Sequence, residues 1–161
     1  MRITFRFKYP IAETMAFELE YPEPLRLTLE EKTRLLEDAI VMWMFDGETL
    51  VGETYGVSLG NSAYEHPGCP QYPDAIYCYS NTILGEFKSK GYGTILKAAF
   101  IGRVSGEFRA IYGHARPGAS QALNRKFGAQ FLKTYEDWYG TGEAYGLYVL
   151  PLKESLDPKS V

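Results

Sequence analysis

The most informative segment of the chain spans residues 83–96 and reads Ile83-Leu84-Gly85-Glu86-Phe87-Lys88-Ser89-Lys90-Gly91-Tyr92-Gly93-Thr94-Ile95-Leu96. A strand-like apolar run ends at Leu84, and a helical apolar pattern begins after Gly91. The first amides of a helix have no acceptor within the helix, and the helix dipole is positive there. Gly91 and Gly93 allow the backbone to approach a ligand closely, while Lys88 and Lys90 add positive charge. The segment therefore predicts an anion site that suits a diphosphate.

Two common phosphate-binding motifs do not fit this segment. A Walker loop requires a glycine, four residues, and then Gly-Lys followed by Ser or Thr, and this order is absent. A Rossmann fingerprint requires a third glycine three positions after Gly93, where the chain has Leu96. A glycine turn that only joins a strand to a helix is the structural alternative when the loop is taken alone.

Basic residues are concentrated in and after this loop. Residues 88–133 hold nine Lys or Arg and one acidic residue, Glu107, whereas residues 1–87 hold six Lys or Arg and 14 acidic residues. A basic stretch that opens with a glycine loop and a helix indicates an anionic ligand, with a solvated surface as the alternative. Nucleic acid is not an expected partner, because the net charge is −3 and the aromatic residues do not alternate with the basic ones.

The composition is that of an ordinary globular protein. The 161 residues are 45% hydrophobic and 23% charged, which is enough to bury the core of one domain. We expect a single domain over residues 1–152 and a polar tail over 153–161. Residues 1–10 lack the apolar run of a secretory signal, and the apolar run at 75–85 is too short to cross a bilayer. A cytoplasmic protein without a membrane span is therefore expected.

Cysteine and histidine are too sparse to indicate a metal site. Cys69 and Cys78 match no paired metal-ligand spacing and make no disulfide framework, so two reduced thiols are expected. His66 and His114 are likewise isolated in the sequence, whereas a zinc site requires three or four converging ligands. No metal is predicted.

Apolar periodicity and turn signals predict an alternation of strands and helices. Period-two alternation in the first twenty residues predicts a hairpin, with a short helix after Pro10 as the alternative. Thr28 and Glu31 form a capping box before a helix at 28–39. The other predicted elements are strands at 41–45 and 49–59 around the turn Asp46-Gly47, a long loop at 60–74, a strand at 75–84, a helix at 91–105, a strand at 108–115, a short helix from Pro117 to Gly128, and strands at 130–139 and 143–150.

The segment 83–96 resembles the acetyl-CoA-binding signature of the GCN5-related N-acetyltransferases, the GNAT family. Residues 90–94 are especially similar to the histone-acetylating branch. Residues 119–129 are similar to the family's helix that ends in Lys, an apolar residue and Gly, and the order of elements over 28–151 also matches. The resemblance implies an α+β fold, with a mixed, mostly antiparallel sheet of about seven strands flanked by helices.

The same resemblance implies an N-acetyltransferase that moves an acetyl group from acetyl-CoA to a primary amine of a small molecule, peptide or protein. Its expected partners are acetyl-CoA (coenzyme A) and an amine acceptor, without nucleic acid or membrane, in a monomer or homodimer. The resemblance assigns the cofactor to Ile83, Leu84, Gly85, Lys88, Ser89, Lys90, Gly91, Tyr92, Gly93, Thr94 and Asn124.

Catalytic residues are less clearly marked than the cofactor loop. Asn124 stands where many members of the family have the tyrosine that protonates the leaving thiolate, and Tyr77 falls at the position of the catalytic glutamate of the histone branch. The candidate bases are Glu53, Tyr77 and His114, and the candidate acids are Tyr112 and Tyr79. Each has a structural alternative as a core or surface residue. The missing tyrosine at Asn124 favours the alternative function, a non-catalytic acyl-CoA sensor or interaction module on the same fold.

Overall fold

The computed structural model of the protein describes residues 1–152. Seven strands and three α-helices account for most of this part of the chain. In chain order they are β1 (Ile3–Arg6), α1 (Leu29–Glu37), β2 (Ile40–Asp46), β3 (Thr49–Ser58), β4 (Ala75–Ile83), α2 (Tyr92–Val104), β5 (Ala110–Ala115), α3 (Ala119–Lys126), β6 (Gln130–Tyr135) and β7 (Tyr145–Pro151).

The seven strands form one sheet in the order β1-β2-β3-β4-β5-β7-β6. β1 with β2, β2 with β3, β5 with β7 and β6 with β7 are antiparallel pairs. β4 and β5 are parallel, and their ladder joins Ala75–Tyr77 to Ala110–Tyr112 before each strand continues beyond it. The mixed, mostly antiparallel sheet implied by the family resemblance is confirmed.

The described chain divides into two compact units. Unit 1 comprises Met1–Gly56 and Tyr79–Phe100, and unit 2 comprises Val57–Cys78 and the described chain from Ile101. The single domain expected over 1–152 stays a prediction, and the polar tail expected over 153–161 lies outside the described residues.

The first helix and the first hairpin follow the sequence signals closely. Thr28 Oγ1 accepts a hydrogen bond from the Glu31 amide, and Glu31 Oε1 accepts one from the Thr28 amide, so both halves of the capping box are present. Gly47 has φ +63° in the turn between β2 and β3, which only glycine adopts without strain. The buried face of α1 contains Lys32, whereas Leu29 at the start of the helix is 44% exposed.

The predicted N-terminal hairpin is wrong. β1 pairs with β2, and Ile11–Glu20 forms a 3₁₀ helix after Pro10, as the alternative interpretation expected. The buried residues of this helix are Thr14, Phe17 and Glu18, a helical spacing of three and four. The alternation at Ile3 and Phe5 does correspond to a strand, and both residues pack against the core of unit 1. The alternation at Met15, Phe17 and Leu19 was misleading, because only Phe17 of these three is buried.

Two corrections apply near the C-terminus. β6 ends at Tyr135 instead of residue 139, because Asp137 and Tyr139 adopt left-handed backbone angles (φ +47° and +46°) that a strand does not allow. α3 begins at Ala119, so Pro117 lies before its first turn.

Within residues 1–152, no helix is both long and apolar enough to cross a membrane. In the same part of the chain, no three His, Cys, Asp or Glu side chains come together as metal ligands. Cys69 and Cys78 are not joined in a disulfide.

Candidate functional site

The glycine loop of unit 1 has the backbone geometry of a ligand-binding turn. Ser89 and Gly91 both have positive φ angles, +66° and +86°, and α2 begins at the next residue, Tyr92. Apart from Gly91 and the residues adjacent to it in the chain, no atom of residues 1–152 would lie within 4 Å of a Cβ atom added to Gly91. Because the first amides of α2 have no acceptor within the helix, the loop presents backbone donors at its positive end. A serine held in a left-handed conformation is strained, as is common at functional sites.

The two ends of the loop are anchored in unit 1. Ile83 and Tyr92 are 8% exposed and pack in an apolar cluster with Met44, Val51 and Leu96. The Tyr92 hydroxyl donates a hydrogen bond to Asp46. The Leu84 amide donates to the Val51 carbonyl oxygen at 3.1 Å. Tyr92 therefore fixes the loop, while Lys90, Gly91 and their neighbours remain at the surface.

The two lysines of the loop have different environments. Lys88 Nζ lies 2.8 Å from Glu20 Oε1, and the Gly85 amide donates to Glu20 Oε2 at 2.9 Å. Burial acts to raise the pKa of Glu20, but Lys88 and the Gly85 amide outweigh burial and lower it. Lys90 is exposed beside Gly91. The positive charge at the loop is thus partly neutralised at Lys88, which the sequence did not reveal.

Asn81 on β4 has a buried oxygen that suits a ligand, and sequence reasoning missed this residue. Its Nδ2 donates to the Gly93 carbonyl at 3.4 Å, whereas its Oδ1 is buried without a hydrogen-bond partner among the described residues. A buried acceptor left unpaired is costly, by roughly 1–3 kcal/mol. An amide N–H of a bound ligand would satisfy it, so the residues present fit a group that carries both an anion and amides, as coenzyme A does.

Asn124 of unit 2 has the same property. It is 5% exposed, its Nδ2 donates to the Ser120 carbonyl at 2.9 Å, and its Oδ1 is buried with no partner in residues 1–152. Asn124 lies in the last turn of α3, which ends at Lys126, and Gly128 follows shortly after with φ +99°. Its side chain has an acceptor to offer to a thiol or amide hydrogen, but it has no proton that an acid catalyst could give up at neutral pH.

Glu53 belongs to a buried charge cluster in unit 1. Its carboxylate lies 2.8 Å from Lys32 Nζ and accepts a hydrogen bond from Trp43 Nε1 at 2.8 Å. Lys32 also lies 3.2 Å from Glu18 and donates to the Thr14 carbonyl at 3.1 Å. Burial raises the pKa of Glu53, and Lys32 and Trp43 oppose this rise. Both oxygens of Glu53 are thus engaged by groups of the fold, and its side chain is 0% exposed.

Tyr77 and His114, two candidate bases far apart in sequence, are hydrogen-bonded to each other in unit 2. Tyr77 Oη lies 2.6 Å from His114 Nδ1, and His114 Nε2 lies 3.0 Å from the Pro67 carbonyl oxygen. A carbonyl oxygen can only accept, so Nε2 carries the hydrogen of the neutral ring and Nδ1 has the lone pair. Tyr77 therefore donates to His114, and the pair is aligned for transfer of the tyrosyl proton.

Aromatic rings surround this pair. The His66 ring stacks on the Tyr77 ring at 3.8 Å with an interplanar angle of 1°, and the Trp138 ring stacks on His114 at 4.1 Å. Burial lowers the pKa of both histidines to about 4. Both rings are therefore uncharged at neutral pH, and the same burial makes each of them a weaker base than an exposed histidine.

The two candidate acids occupy different positions. Tyr112 is the register partner of Tyr77 in the parallel ladder of β4 and β5, and burial raises the pKa of its hydroxyl. Tyr79 stacks on Tyr55 at 6.0 Å within unit 1. The sequence alone did not indicate that Tyr112, and not Tyr79, pairs with Tyr77 in the sheet.

Comparison with known proteins defines the fold class. No protein-family model and no curated protein matches the sequence. Solved structures do match: yncA from Salmonella typhimurium, assigned as an acetyltransferase and solved with its cofactor acetyl-CoA, is 14% identical with a TM-score of 0.69 over 96% of both chains. Arabidopsis thaliana NAA60 in complex with a bisubstrate analogue is 16% identical, with a TM-score of 0.71 over 91% of this chain and 96% of that one.

A GNAT-family acetyltransferase from Streptococcus pneumoniae is also similar, at 16% identity and a TM-score of 0.70 over 94% of this chain and 100% of the other. At these identities the likeness establishes the fold. The protein has the fold of the GNAT acetyltransferases.

Proposed function

We propose that the protein is an N-acetyltransferase that transfers an acetyl group from acetyl-CoA to a primary amine. The observation that carries the proposal is the strained turn at Ser89 and Gly91, which opens into solvent at the start of α2. The unpaired buried oxygens of Asn81 and Asn124 and the fold shared with acetyltransferases support it.

The residues that would hold the cofactor fall into two groups. Backbone amides of residues 89–94 and the Lys90 ammonium would bind the diphosphate, since a helix N-terminus favours an anion. In unit 1, Asn81 Oδ1 would accept a hydrogen bond from an amide hydrogen of the cofactor. When bound, acetyl-CoA supplies an activated thioester carbon, and its thiolate leaves as the amide bond forms.

Tyr77 is the proposed proton acceptor. An alkylamine has a pKa of about 10, so it must lose a proton before or during its attack. Tyr77 Oη would take that proton as its own hydrogen moves to His114 Nδ1, along the 2.6 Å hydrogen bond. Because burial disfavours a charged His114, the proton would then return through Tyr77 to the leaving thiolate and give free CoA thiol. The Pro67 carbonyl holds the His114 ring in place for this transfer. Glu53 is not the proposed base, because its carboxylate oxygens are bound by Lys32 and Trp43.

The test is release of free CoA thiol from acetyl-CoA in the presence of a panel of primary amines. Steady release that depends on both the protein and an amine is expected, with a mass increase of one acetyl group on the amine. CoA binding without turnover across the panel would contradict transfer and favour a sensor on the same fold. Absence of CoA binding would overturn both functions.

A further inference from the structure

Unit 2 contains a cavity that the cofactor residues do not explain. It has a volume of about 400 Å³ and is lined by nine residues of the loop between β3 and β4 and of the turn after β6. Its size is in the range of pockets that hold small organic molecules. His66 lies in the cavity wall and stacks directly on Tyr77, so the cavity adjoins the Tyr77–His114 pair.

The charge of the lining favours a cation. Among the nine lining residues, Glu65 is the only charged side chain and there is no Lys or Arg. His66 is uncharged at neutral pH because burial lowers its pKa to about 4. Burial also raises the pKa of the Cys69 thiol to about 12, so Cys69 contributes a neutral thiol and not a reactive thiolate. An anionic ligand would find no counter-charge in this lining.

Aromatic rings form a linked series that begins and ends at the cavity. Tyr139 and His66 both line it, and they are connected through ring contacts from Tyr139 to Trp138 (4.7 Å), Trp138 to His114 (4.1 Å), His114 to Tyr77 (5.6 Å) and Tyr77 to His66 (3.8 Å). Aromatic faces attract both cations and apolar groups. Tyr139 is 62% exposed and has a left-handed backbone conformation.

The loop that forms most of the wall is fixed by close packing. A Cβ atom added to Gly68 would collide with the Tyr135 hydroxyl, and one added to Gly60 would lie 2.6 Å from Pro73 Cα. Gly60 thus lets the two ends of the loop pack on each other, and Gly68, with φ +77°, lets the loop pack on Tyr135 of β6. The Pro67 carbonyl adds a third attachment through its hydrogen bond with His114. A pocket built in this way is largely formed before a ligand arrives.

We infer that this cavity is the acceptor pocket and that it takes a small primary amine, positively charged in solution, attached to an apolar or aromatic body. The inference rests on the proposed function and names its substrate class. Glu65 would pair with the ammonium group, and Tyr64, His66 and Tyr139 would contact the apolar body. The Tyr77 ring stacks on His66, next to this lining.

Binding of matched amine and alcohol probes tests the inference. The amines are benzylamine, phenethylamine and hexylamine, and the alcohols of the same carbon skeletons are the neutral controls, titrated calorimetrically at pH 7 in the presence of CoA. At least one amine should bind about tenfold or more tightly than its alcohol, as expected for a paired, partly desolvated ammonium. Failure of all three amines to bind, or equal binding of amines and alcohols, would overturn the inference.

Matched variants locate the binding site. Glu65→Gln and Tyr139→Ala should each weaken amine binding by about tenfold, because they remove the counter-charge or one aromatic wall. Glu136→Gln and Tyr72→Ala change exposed residues of unit 2 that do not line the cavity, and they should leave affinity within about twofold. Equal effects of the two sets of variants would overturn the pocket assignment.

The combined results of binding and acetylation assays distinguish failure of the pocket assignment from failure of the proposed function. Amine binding that depends on Glu65 and Tyr139, without acetylation of the amine, would support the pocket and contradict acetyl transfer. Acetylation of amines that Glu65→Gln and Tyr139→Ala leave unchanged would support the transferase and overturn the pocket. Acetylation only of a peptide or protein amine would also overturn it, since that acceptor would not fit a cavity of about 400 Å³.

Discussion

Two clusters of buried titratable side chains differ in almost every physical respect. In unit 1, Glu18, Lys32 and Glu53 form a charged cluster whose Lys32 and Glu53 side chains are 0% exposed. In unit 2, Tyr77 and His114 form a neutral pair beside a cavity. The buried Glu53 carboxylate is compatible with a stable fold only while Lys32 and Trp43 remain bound to it, because an unpaired buried charge is strongly destabilising. A neutral tyrosine and histidine joined by one hydrogen bond carry no charge at rest, and burial disfavours the charged form of His114, so a proton passed to it would be held only briefly.

The environments of these two clusters distinguish between the three candidate bases, which the sequence could not rank. Glu53, Tyr77 and His114 were all candidate bases, and motif position could not rank them. Their partners assign a structural role to Glu53 and leave Tyr77 and His114 available for chemistry.

The largest expected effect is on stability, from Lys32→Met. This change leaves Glu18 and Glu53 buried without a counter-charge and should lower the free energy of unfolding by about 3–5 kcal/mol. Urea denaturation measures the change. The double variant Lys32→Met with Glu53→Leu should recover a large part of the loss, because it removes the uncompensated Glu53 charge. A loss below about 1 kcal/mol in the single variant would show that the cluster is not a structural ion pair.

Tyr77→Phe should affect turnover more than stability. Loss of the proposed proton acceptor should lower kcat by about 100-fold while KM for acetyl-CoA stays unchanged, since general base catalysis contributes about 10²–10⁴-fold. The unfolding free energy should fall by only about 1 kcal/mol, the net value of one hydrogen bond. Steady-state kinetics with Tyr72→Phe, a change at an exposed tyrosine, as the control checks the assignment. Retention of wild-type kcat in Tyr77→Phe would contradict it.

The neutral histidines predict a pH-dependent stability. Burial lowers the pKa of His114 from 6.5 to about 4, so between these values the unfolded chain binds more protons than the folded protein. Stability should therefore be complete above pH 6.5 and fall as the pH decreases toward 4. His114→Gln, which keeps an acceptor for Tyr77, should show a smaller loss over this range in urea titrations. Parallel curves for wild type and variant would contradict the neutral, buried state of His114.

The smallest expected effect comes from the exposed ion pair of the glycine loop. Lys88 is 54% exposed, so Glu20→Gln should change the unfolding free energy by less than about 1 kcal/mol, in contrast to the buried cluster. The same variant should increase CoA affinity about two- to threefold, because it releases the Lys88 ammonium toward an anion. Calorimetric titration with CoA at low salt measures this gain. A decrease in affinity would show that Glu20 orders the loop.

Much of the fold was predictable because local chemistry determines it. The capping box at Thr28 and Glu31, the turn at Gly47 and the glycine loop before α2 each follow from short-range geometry. The N-terminal 3₁₀ helix was not predictable from alternation, because the partner of β1 is β2, far along the chain. The early end of β6 depends on left-handed angles at Asp137 and Tyr139, which neither residue type requires.

The candidate site was predictable only in part, because some of its contacts join residues that are far apart in the sequence. The anion loop is contiguous in sequence, and its glycines indicate its geometry. The pairing of Tyr77 with His114 joins residues 37 positions apart, and the stacking of His66 on Tyr77 depends on the course of a long loop. Likewise, the unpaired oxygen of Asn81 is visible only once its surroundings are known.

Calorimetric CoA binding by Gly91→Ala, with Gly142→Ala as the control, addresses the anion-binding loop most directly. Both glycines have positive φ angles, +86° and +76°, and the methyl group of an alanine at either position would have no other atom of residues 1–152 within 4 Å. The free energy of unfolding should therefore fall by a similar amount in both variants, about 1–2 kcal/mol. We expect Gly91→Ala to lower CoA affinity at least about tenfold and Gly142→Ala to leave it unchanged, with pantetheine, which lacks the diphosphate, binding weakly to all forms. Equal CoA affinity in the two variants, or equal binding of CoA and pantetheine to the wild-type protein, would contradict a diphosphate-binding site at residues 89–94.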